Sequence, residues 1–187
     1  MLLEVAQQFI QEKEQVALDS TGLETTSASS YFQTRSGRQR KKYLKLSVGV
    51  LCGSMIPAGL VVGWGPSNDK SDALPLLAKT RAAVSPTAVF ADAGYDAEWI
   101  HKFCREDWQA KSFIPPAMRR QDGLANGKYR SPMTPRRLKR NGYSRRWIVE
   151  SFMSALKRTT GAALQARSQA TLFLEAALRV LAYAIRR

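Results

Sequence analysis

The feature that most constrains the fold is a pair of apolar runs separated by a short turn. Residues 42–52 (KYLKLSVGVLC) alternate in polarity, and residues 56–64 (IPAGLVVGW) form a second apolar run. Alternation with a period of two is typical of β-strands, and Gly53-Ser54 between the runs is typical of a turn. The two runs therefore predict a β-hairpin.

Strand and helix patterns surround this hairpin. The other predicted elements are a short helix within residues 1–14, a strand over 15–19 that ends at Asp19, a helix from Ser71 or Asp72, a buried strand over 88–91, a helix over 97–105 capped by Asp96, a strand over 111–114 and two C-terminal helices. Three strands followed by alternating helices and strands indicate an α/β protein. We expect a mixed five-stranded sheet with helices on both faces.

The chain length and the helix patterns add further expectations. A chain of 187 residues is expected to form one domain over 1–187, with its core over 15–187. Residues 119–142 are basic and rich in turn-forming residues, and they are predicted to be an exposed or flexible segment. Residues predicted to face inward on the first long helix are Leu74, Leu77 and Ala78, and one stripe of the last helix contains Leu174, Leu178, Leu181 and Ile185.

Positive charge is concentrated in two parts of the chain. There are 29 Lys and Arg against 15 Asp and Glu, a net charge of +14. Residues 35–45 contain six bases and no acid, and residues 111–158 contain thirteen bases against two acids. Basic surfaces of this kind bind phosphate backbones. The residues predicted to bind DNA in these two blocks are Arg38, Arg40, Lys41, Arg136, Arg137, Lys139 and Arg140.

The sequence argues against several other classes of protein. Cys52 and Cys104 are far apart, which fits a reducing cytoplasm better than a disulfide framework. The acidic start does not resemble a signal peptide, and no run approaches the roughly 20 apolar residues of a membrane span. His101 is the only histidine in the sequence, so neither a His-rich metal site nor a Ser-His-Asp triad is expected. We expect His101 on a helix surface.

Three acidic residues stand where a fold of this kind can bind metal ions. Asp19 and Asp92 each follow a short apolar run, and Glu150 lies on the predicted exposed face of a helix. The ends of strands are common ligand sites in α/β sheets. Converging carboxylates need a compensating cation, and Mg²⁺ prefers such oxygen ligands. The alternative is that these aspartates only stabilise turns. That structural role is assigned to Asp69, Asp72 and Asp96.

One predicted helix combines the third acid with three other polar residues. Tyr143, Arg146, Glu150 and Lys157 fall on one side of a helix that advances about 100° per residue. A carboxylate flanked by cations and a phenol suits a metal ion next to phosphates. Arg146 and Glu150 also have the i,i+4 spacing of an ordinary surface ion pair. The spacing alone therefore leaves both interpretations open.

Taken together, these motifs resemble the DDE transposases of bacterial insertion sequences. The first two acids lie in Asp19-Ser20-Thr21-Gly22 and in residues 91–96 (ADAGYD), and Tyr-x2-Arg-x3-Glu-x6-Lys is complete from residue 143 to 157. The resemblance spans residues 15–187 and implies a ribonuclease H-like core. It implies that Asp19, Asp92 and Glu150 bind Mg²⁺ or Mn²⁺, as two ions. It also implies that Tyr143, Arg146 and Lys157 contact DNA phosphates near the cleaved transposon end.

The resemblance further implies an activity and partners. This family cuts DNA at element ends and joins the freed 3′-hydroxyl to target DNA within a synaptic multimer. A region that recognises the terminal repeats usually precedes the first Asp, and Asp19 comes so early that a catalytic domain without that region is expected. Two alternatives remain open. One is a ribonuclease H-like nuclease that cuts without joining, and the other is a basic nucleic-acid-binding remnant without catalysis.

Overall fold

The computed structural model describes residues 2–11, 13–25, 43–117 and 125–187, and its strands form one mixed five-stranded sheet. The strands are β1 (Gln15–Leu23), β2 (Tyr43–Leu51), β3 (Pro57–Gly65), β4 (Ala88–Phe90) and β5 (Lys111–Phe113). Their order across the sheet is β3-β2-β1-β4-β5. The first three strands pair antiparallel, whereas β4 runs parallel to β1 and β5 runs parallel to β4. The predicted hairpin is the β2–β3 pair.

Helices cover both faces of this sheet. They are α1 (Leu2–Gln7), α2 (Asp69–Ala83), α3 (Glu98–Lys102, continued by a π-helical turn over Phe103–Asp107), α4 (Pro135–Arg140), α5 (Trp147–Thr160) and α6 (Gln169–Arg186). Strand alternation divides the apolar side chains between two clusters. Leu46 of β2 packs in one cluster with Phe152 of α5, and Val16 of β1 packs in the other with Leu77 of α2. The predicted α/β architecture is confirmed, and its element order agrees with the ribonuclease H-like fold.

The first strand is longer than predicted. It does not end at Asp19, because β2 pairs with it from Val16 opposite Leu51 as far as Leu23 opposite Leu44. The continuous ladder of backbone hydrogen bonds satisfies the polar groups of Ser20-Thr21-Gly22 and outweighs their turn propensity. Side chains therefore continue to alternate through this segment, a feature on which the geometry of the site depends.

The start and the buried face of α2 also differ from the prediction. The helix is capped by Asn68, whose side chain accepts a hydrogen bond from the Lys70 N–H, so neither Ser71 nor Asp72 is the cap. Leu77 faces inward as predicted, but Leu74 and Ala78 are exposed. The face that packs on the sheet consists of Ala73, Leu76, Leu77, Thr80 and Ala83.

Asp96 does not cap the helix that follows it. Its two carboxylate oxygens accept hydrogen bonds from Arg130 Nε at 2.7 Å and Arg130 Nη2 at 2.5 Å, and Oδ2 also accepts one from the Ala117 N–H at 2.8 Å. This buried ion pair anchors part of the segment predicted to be exposed or flexible. Within the same segment residues Pro135–Arg140 form α4, in which Leu138 is buried in the core although Arg136, Lys139 and Arg140 are exposed. Residues 118–124 lie outside the described part of the chain.

One further expectation about a surface is wrong. His101 is fully buried, with Nδ1 2.7 Å from Ser112 Oγ, and burial lowers the pKa of His101 to about 4. Of the apolar stripe on α6, Leu174, Leu178 and Ile185 are exposed and Leu181 is half-buried. The packed face of that helix is formed by Leu172, Ala176, Val180, Tyr183 and Ala184. Over the described ranges, no helix has both the length and the apolar character needed to cross a membrane.

Candidate active site

Asp19 and Asp92 lie next to each other where the pairing of β1 with β4 ends. The parallel register places Ala17 opposite Phe90, and each aspartate comes two residues further along its own chain segment. Ala17 and Phe90 both pack into the cluster under α5 and α6. Because side chains alternate along extended backbone, Asp19 and Asp92 project toward that same face. The sheet topology itself therefore brings together two acids that are 73 positions apart in the sequence.

One backbone N–H group orients each of these carboxylates. The Ser20 N–H donates to Asp19 Oδ1 at 2.8 Å, and the Gly94 N–H donates to Asp92 Oδ1 at 2.9 Å. The second contact makes Asp92 the cap of a 3₁₀ turn, Ala93–Tyr95. The structural role considered for Asp92 is thus present, and it holds one carboxylate oxygen.

Arg146 lies between Asp19 and Glu150. Its Nη1 is 3.8 Å from Asp19 Oδ2, and its Nη2 donates to Glu150 Oε1. Arg146 ends a 3₁₀ turn, Tyr143–Arg146, that precedes α5, so the predicted polar stripe does not lie on one regular α-helix. Glu150 is in the first turn of α5, and its side chain is 51% exposed. The i,i+4 ion pair considered for these residues exists, and Arg146 extends it to Asp19.

Tyr143 and Lys157 connect the same side of the molecule to the strand ends. The Tyr143 hydroxyl donates to the carbonyl of Ala91, the residue before Asp92, at 3.1 Å. Lys157 Nζ donates to Thr21 Oγ1 at 2.6 Å. The structure therefore gathers in one region the predicted residues Asp19, Asp92, Tyr143, Arg146, Glu150 and Lys157.

Negative charge is in excess around Asp19. The pKa of Asp19 is raised to about 6, mainly by burial and also by the charges of Asp92 and Glu150, while the Ser20 N–H and Arg146 act in the opposite direction. Burial also raises the pKa of Tyr143, although Arg146 lowers it. An additional cation would relieve the repulsion between the carboxylates.

The carboxylate oxygens of Asp19 and Asp92 suit a divalent cation, but the described residues do not form a complete set of metal ligands. Within residues 2–11, 13–25, 43–117 and 125–187, no three Asp, Glu, His or Cys side chains are close enough together to hold one metal ion. Asp19 and Asp92 supply hard carboxylate oxygens from neighbouring positions, as Mg²⁺ and Mn²⁺ require. Glu150 is held by Arg146, whose guanidinium supplies positive charge between Glu150 and Asp19.

The basic residues predicted to bind DNA have different locations. Arg136, Lys139 and Arg140 are exposed on α4, and Arg137 is half-buried there. The predicted Arg38, Arg40 and Lys41 lie outside the described residues. Lys45 belongs to the first basic block, yet it is 3% exposed and forms ion pairs with Asp69 and Asp72. Including Lys45 in a DNA-binding surface was wrong, because it points inward from a buried strand.

Two groups of residues were missed in the sequence. One is a cleft of about 280 Å³ between the ends of α5 and α6, lined by Ala155, Arg158, Thr159, Tyr183, Arg186 and Arg187. The other is the ion cluster of Lys45 with Asp69 and Asp72. Its signal was available, since Lys45 and Ser47 are polar at alternate positions of an apolar strand. Asp69 and Asp72 also have the i,i+3 spacing of one helix face.

Comparison with protein families agrees with this geometry. A family model described as "Transposase DDE domain" matches residues 10–185, which include the whole sheet, both aspartates and α5. No curated protein and no solved structure matches the chain. The predicted ribonuclease H-like α/β fold is the fold of this family, whose members are enzymes that act on DNA. The chain therefore belongs to the DDE transposase family.

Proposed function

We propose that this protein is a metal-dependent DNA transposase that cleaves DNA at the ends of an insertion sequence and transfers the freed strand to target DNA. The observation that supports this most is that Arg146 lies between Asp19 and Glu150 while Asp92 lies beside Asp19. These acids come from β1, from the end of β4 and from α5. Three acids on separate elements serve no common structural purpose, whereas they suit phosphoryl transfer.

Asp19, Asp92 and Glu150 are the residues that would hold Mg²⁺ or Mn²⁺. When bound, such ions polarise a phosphoryl oxygen and stabilise the charge that develops on the attacking and leaving oxygens. The protein's own contribution is to hold the carboxylates in place. Ser20 and Gly94 fix one oxygen of each aspartate and leave the other oxygen for a ligand.

Arg146 and Lys157 are suited to binding phosphate. A guanidinium can form two parallel hydrogen bonds to a phosphate, and Arg146 is half-buried at the edge of the acidic group. Lys157 donates to Thr21, a neutral hydroxyl, so this contact does not neutralise its charge. Both residues would position the DNA backbone relative to the carboxylates.

The other proposed contacts have supporting roles. Tyr143 holds the backbone at Ala91 and so steadies the segment that carries Asp92. Arg136, Lys139 and Arg140 on α4 would add affinity for DNA that weakens with salt, and we propose the same for Arg38, Arg40 and Lys41. Assembly of several copies on paired DNA ends is part of the proposal, as is a single catalytic domain over residues 1–187.

The test is strand cleavage and joining with labelled DNA that carries the ends of the element itself. Wild-type protein is compared with Asp92→Asn and Glu150→Gln, in Mn²⁺, in Mg²⁺ and in EDTA. Asp107→Asn is the matched control, since Asp107 is an exposed acid in the turn after α3. We expect metal-dependent cleaved and joined products from wild type and Asp107→Asn, and none from the other two variants.

The remaining outcomes separate the alternative functions. Cleaved products without joined products would indicate a nuclease and contradict strand transfer. Equal DNA binding by all four proteins without any product would indicate a nucleic-acid-binding remnant. Products from Asp92→Asn and Glu150→Gln at the wild-type rate would show that these carboxylates do not bind the metal ions.

A further inference from the structure

Asp69 lies between the two backbone groups that orient Asp19 and Asp92. Ser20 donates its N–H to Asp19 Oδ1 and its hydroxyl to Asp69 Oδ1. The other oxygen of Asp69, Oδ2, is 2.6 Å from the position that a Cβ on Gly94 would take. Gly94 is the residue whose N–H donates to Asp92 Oδ1. One carboxylate therefore contacts Ser20 and abuts Gly94, which bind the two aspartates of the candidate active site.

The alternation of β1 explains why Ser20 makes this connection. Asp19 and Thr21 face α5, where they meet Arg146 and Lys157, whereas Ser20 faces α2. Ser20 reaches Asp69 because β1 continues past Asp19, so that the Ser20 side chain projects from the α2 face of the sheet. The Ser20 backbone thus joins the acidic group on one face to the α2 helix on the other.

Lys45 on β2 forms an ion pair with Asp69. Its Nζ is 2.9 Å from Asp69 Oδ1 and 3.0 Å from Asp72 Oδ2, and it donates to the Ser67 carbonyl at 3.1 Å. Burial lowers the pKa of Lys45, but its hydrogen bonds to Asp69 and Asp72 outweigh this and raise it, so Lys45 stays charged. Asp69 lies on the first turn of α2, and its charged, buried partner Lys45 leaves it little freedom to move.

Tyr95 is close enough to Asp69, Asp19 and Asp92 to feel the charge of each. Its side chain is fully buried, and burial raises its pKa together with the charges of Asp69, Asp19 and Asp92. The Tyr95 hydroxyl has no hydrogen-bond partner among the residues described. Ser47 is near it but donates to Asp72 Oδ2 at 3.1 Å. A buried phenol is thus close to all three carboxylates.

We propose that Asp69 is a positioning residue for Asp19 and Asp92, acting through Ser20 and Gly94 rather than touching metal or DNA. This inference rests on the proposed metal-binding role of the two aspartates. Loss of the Asp69 charge weakens the hydrogen bond that the Ser20 hydroxyl donates and changes the packing against Gly94, so both carboxylates become less well oriented. Groups that orient metal ligands change metal affinity or activity by about 10- to 100-fold when they are removed.

The test compares Asp69→Asn with Asp72→Asn. Asp69 and Asp72 both lie on the first turn of α2, and each variant removes one of the two carboxylate charges that pair with Lys45. Asp72 differs in that it contacts Ser47 instead of Ser20. Mn²⁺ binding is measured by calorimetry without DNA, and cleavage is measured as a function of Mn²⁺ concentration. We expect Asp69→Asn to weaken Mn²⁺ binding about tenfold or more. For Asp72→Asn we expect a much smaller change. Equal effects of the two substitutions on Mn²⁺ binding would overturn the inference.

Ser20→Ala keeps the test decisive if Asp69→Asn fails to fold. It removes the hydroxyl that contacts Asp69 and leaves the Lys45 ion pairs in place. We expect weaker Mn²⁺ binding in the same direction as for Asp69→Asn, and wild-type affinity in Ser20→Ala would overturn the inference. A wild-type protein that neither binds Mn²⁺ nor cleaves DNA would instead contradict the proposed function itself.

Discussion

Two polar clusters lie on opposite faces of β1, and each places a cation between carboxylates. On the α2 face Lys45 lies between Asp69 and Asp72 and is 3% exposed. On the α5 face Arg146 lies between Asp19 and Glu150, in a region open enough that the Glu150 side chain is 51% exposed. The two carboxylates of the first cluster accept hydrogen bonds from Ser20 and Ser47, and both form ion pairs with Lys45.

The second cluster keeps an excess of negative charge, because Asp92 adds a further carboxylate beside Asp19. Its charges are accessible and incompletely compensated, which is what binding a metal ion and a phosphate requires. The two clusters therefore differ less in the residues that they contain than in how completely their charges are compensated. Removing the Lys45 charge from the first cluster should mainly lower stability, whereas removing Asp92 or Glu150 from the second should mainly abolish cleavage.

The largest expected effect is the loss of the buried cation. Lys45→Met would leave Asp69 and Asp72 without their buried counter-charge, and breaking a buried pair in this way costs about 3–5 kcal/mol. Denaturation in urea measures the free energy of unfolding. Lys102→Met is the matched control, since its pair with Glu106 is exposed and should contribute less than about 1 kcal/mol. Similar losses in both variants would show that the buried Lys45 ion pairs contribute no more to stability than an exposed pair does.

A smaller effect of opposite sign is expected at Asp19 in metal-free protein. The pKa of Asp19 is about 6 in the folded protein, against 3.8 for an unperturbed aspartate. Between these pH values the folded state binds more protons than the unfolded state, so the free energy of unfolding falls as pH rises. Asp19→Asn should remove this decrease and stabilise the protein at pH 7 by at most about 3 kcal/mol.

The measurement is urea denaturation in EDTA at pH 4.5 and at pH 7, for wild type and Asp19→Asn. Asp107→Asn serves as the control, because Asp107 is exposed. If the wild-type protein and Asp19→Asn lose stability equally between the two pH values, Asp19 is not under electrostatic strain. The negative charges around Asp19 would then be compensated without a metal ion.

The smallest expected effect on stability is at Gly94, where the two clusters meet. A methyl group there would lie 2.6 Å from Asp69 Oδ2 and 2.9 Å from Asp92 Oδ1, so one carboxylate must move. Overpacking of this kind costs about 1–3 kcal/mol. Gly94→Ala should therefore also reduce cleavage activity, measured with the labelled DNA.

Gly63→Ala is the matched control for this substitution. A Cβ at Gly63 would meet no atom within 4 Å, so stability and activity should stay close to wild type. Wild-type activity in Gly94→Ala would show that the spacing between Asp69 and Asp92 does not matter for catalysis.

The order of elements could be predicted because it depends on local patterns. Alternation over residues 42–52 places β2 correctly, and the apolar run over 88–91 places β4. The turn propensity of Ser20-Thr21-Gly22 was misleading, because pairing with β2 extends β1 through those residues. Likewise, alternation places Lys45 and Ser47 on one face of β2, but whether that face is buried depends on the packing of α2 against it. A single sequence does not encode that packing in any local pattern.

By itself, the sequence determined the α/β architecture and the identity of the candidate site residues. Period-two and helical patterns are properties of neighbouring residues, and the spacing from Tyr143 to Lys157 is visible without coordinates. Only the tertiary structure decided which charges are paired. The structure joins Asp69 to Ser20 across 49 positions and Lys157 to Thr21 across 136. Such contacts depend on strand register and helix packing, and these are set by the fold as a whole.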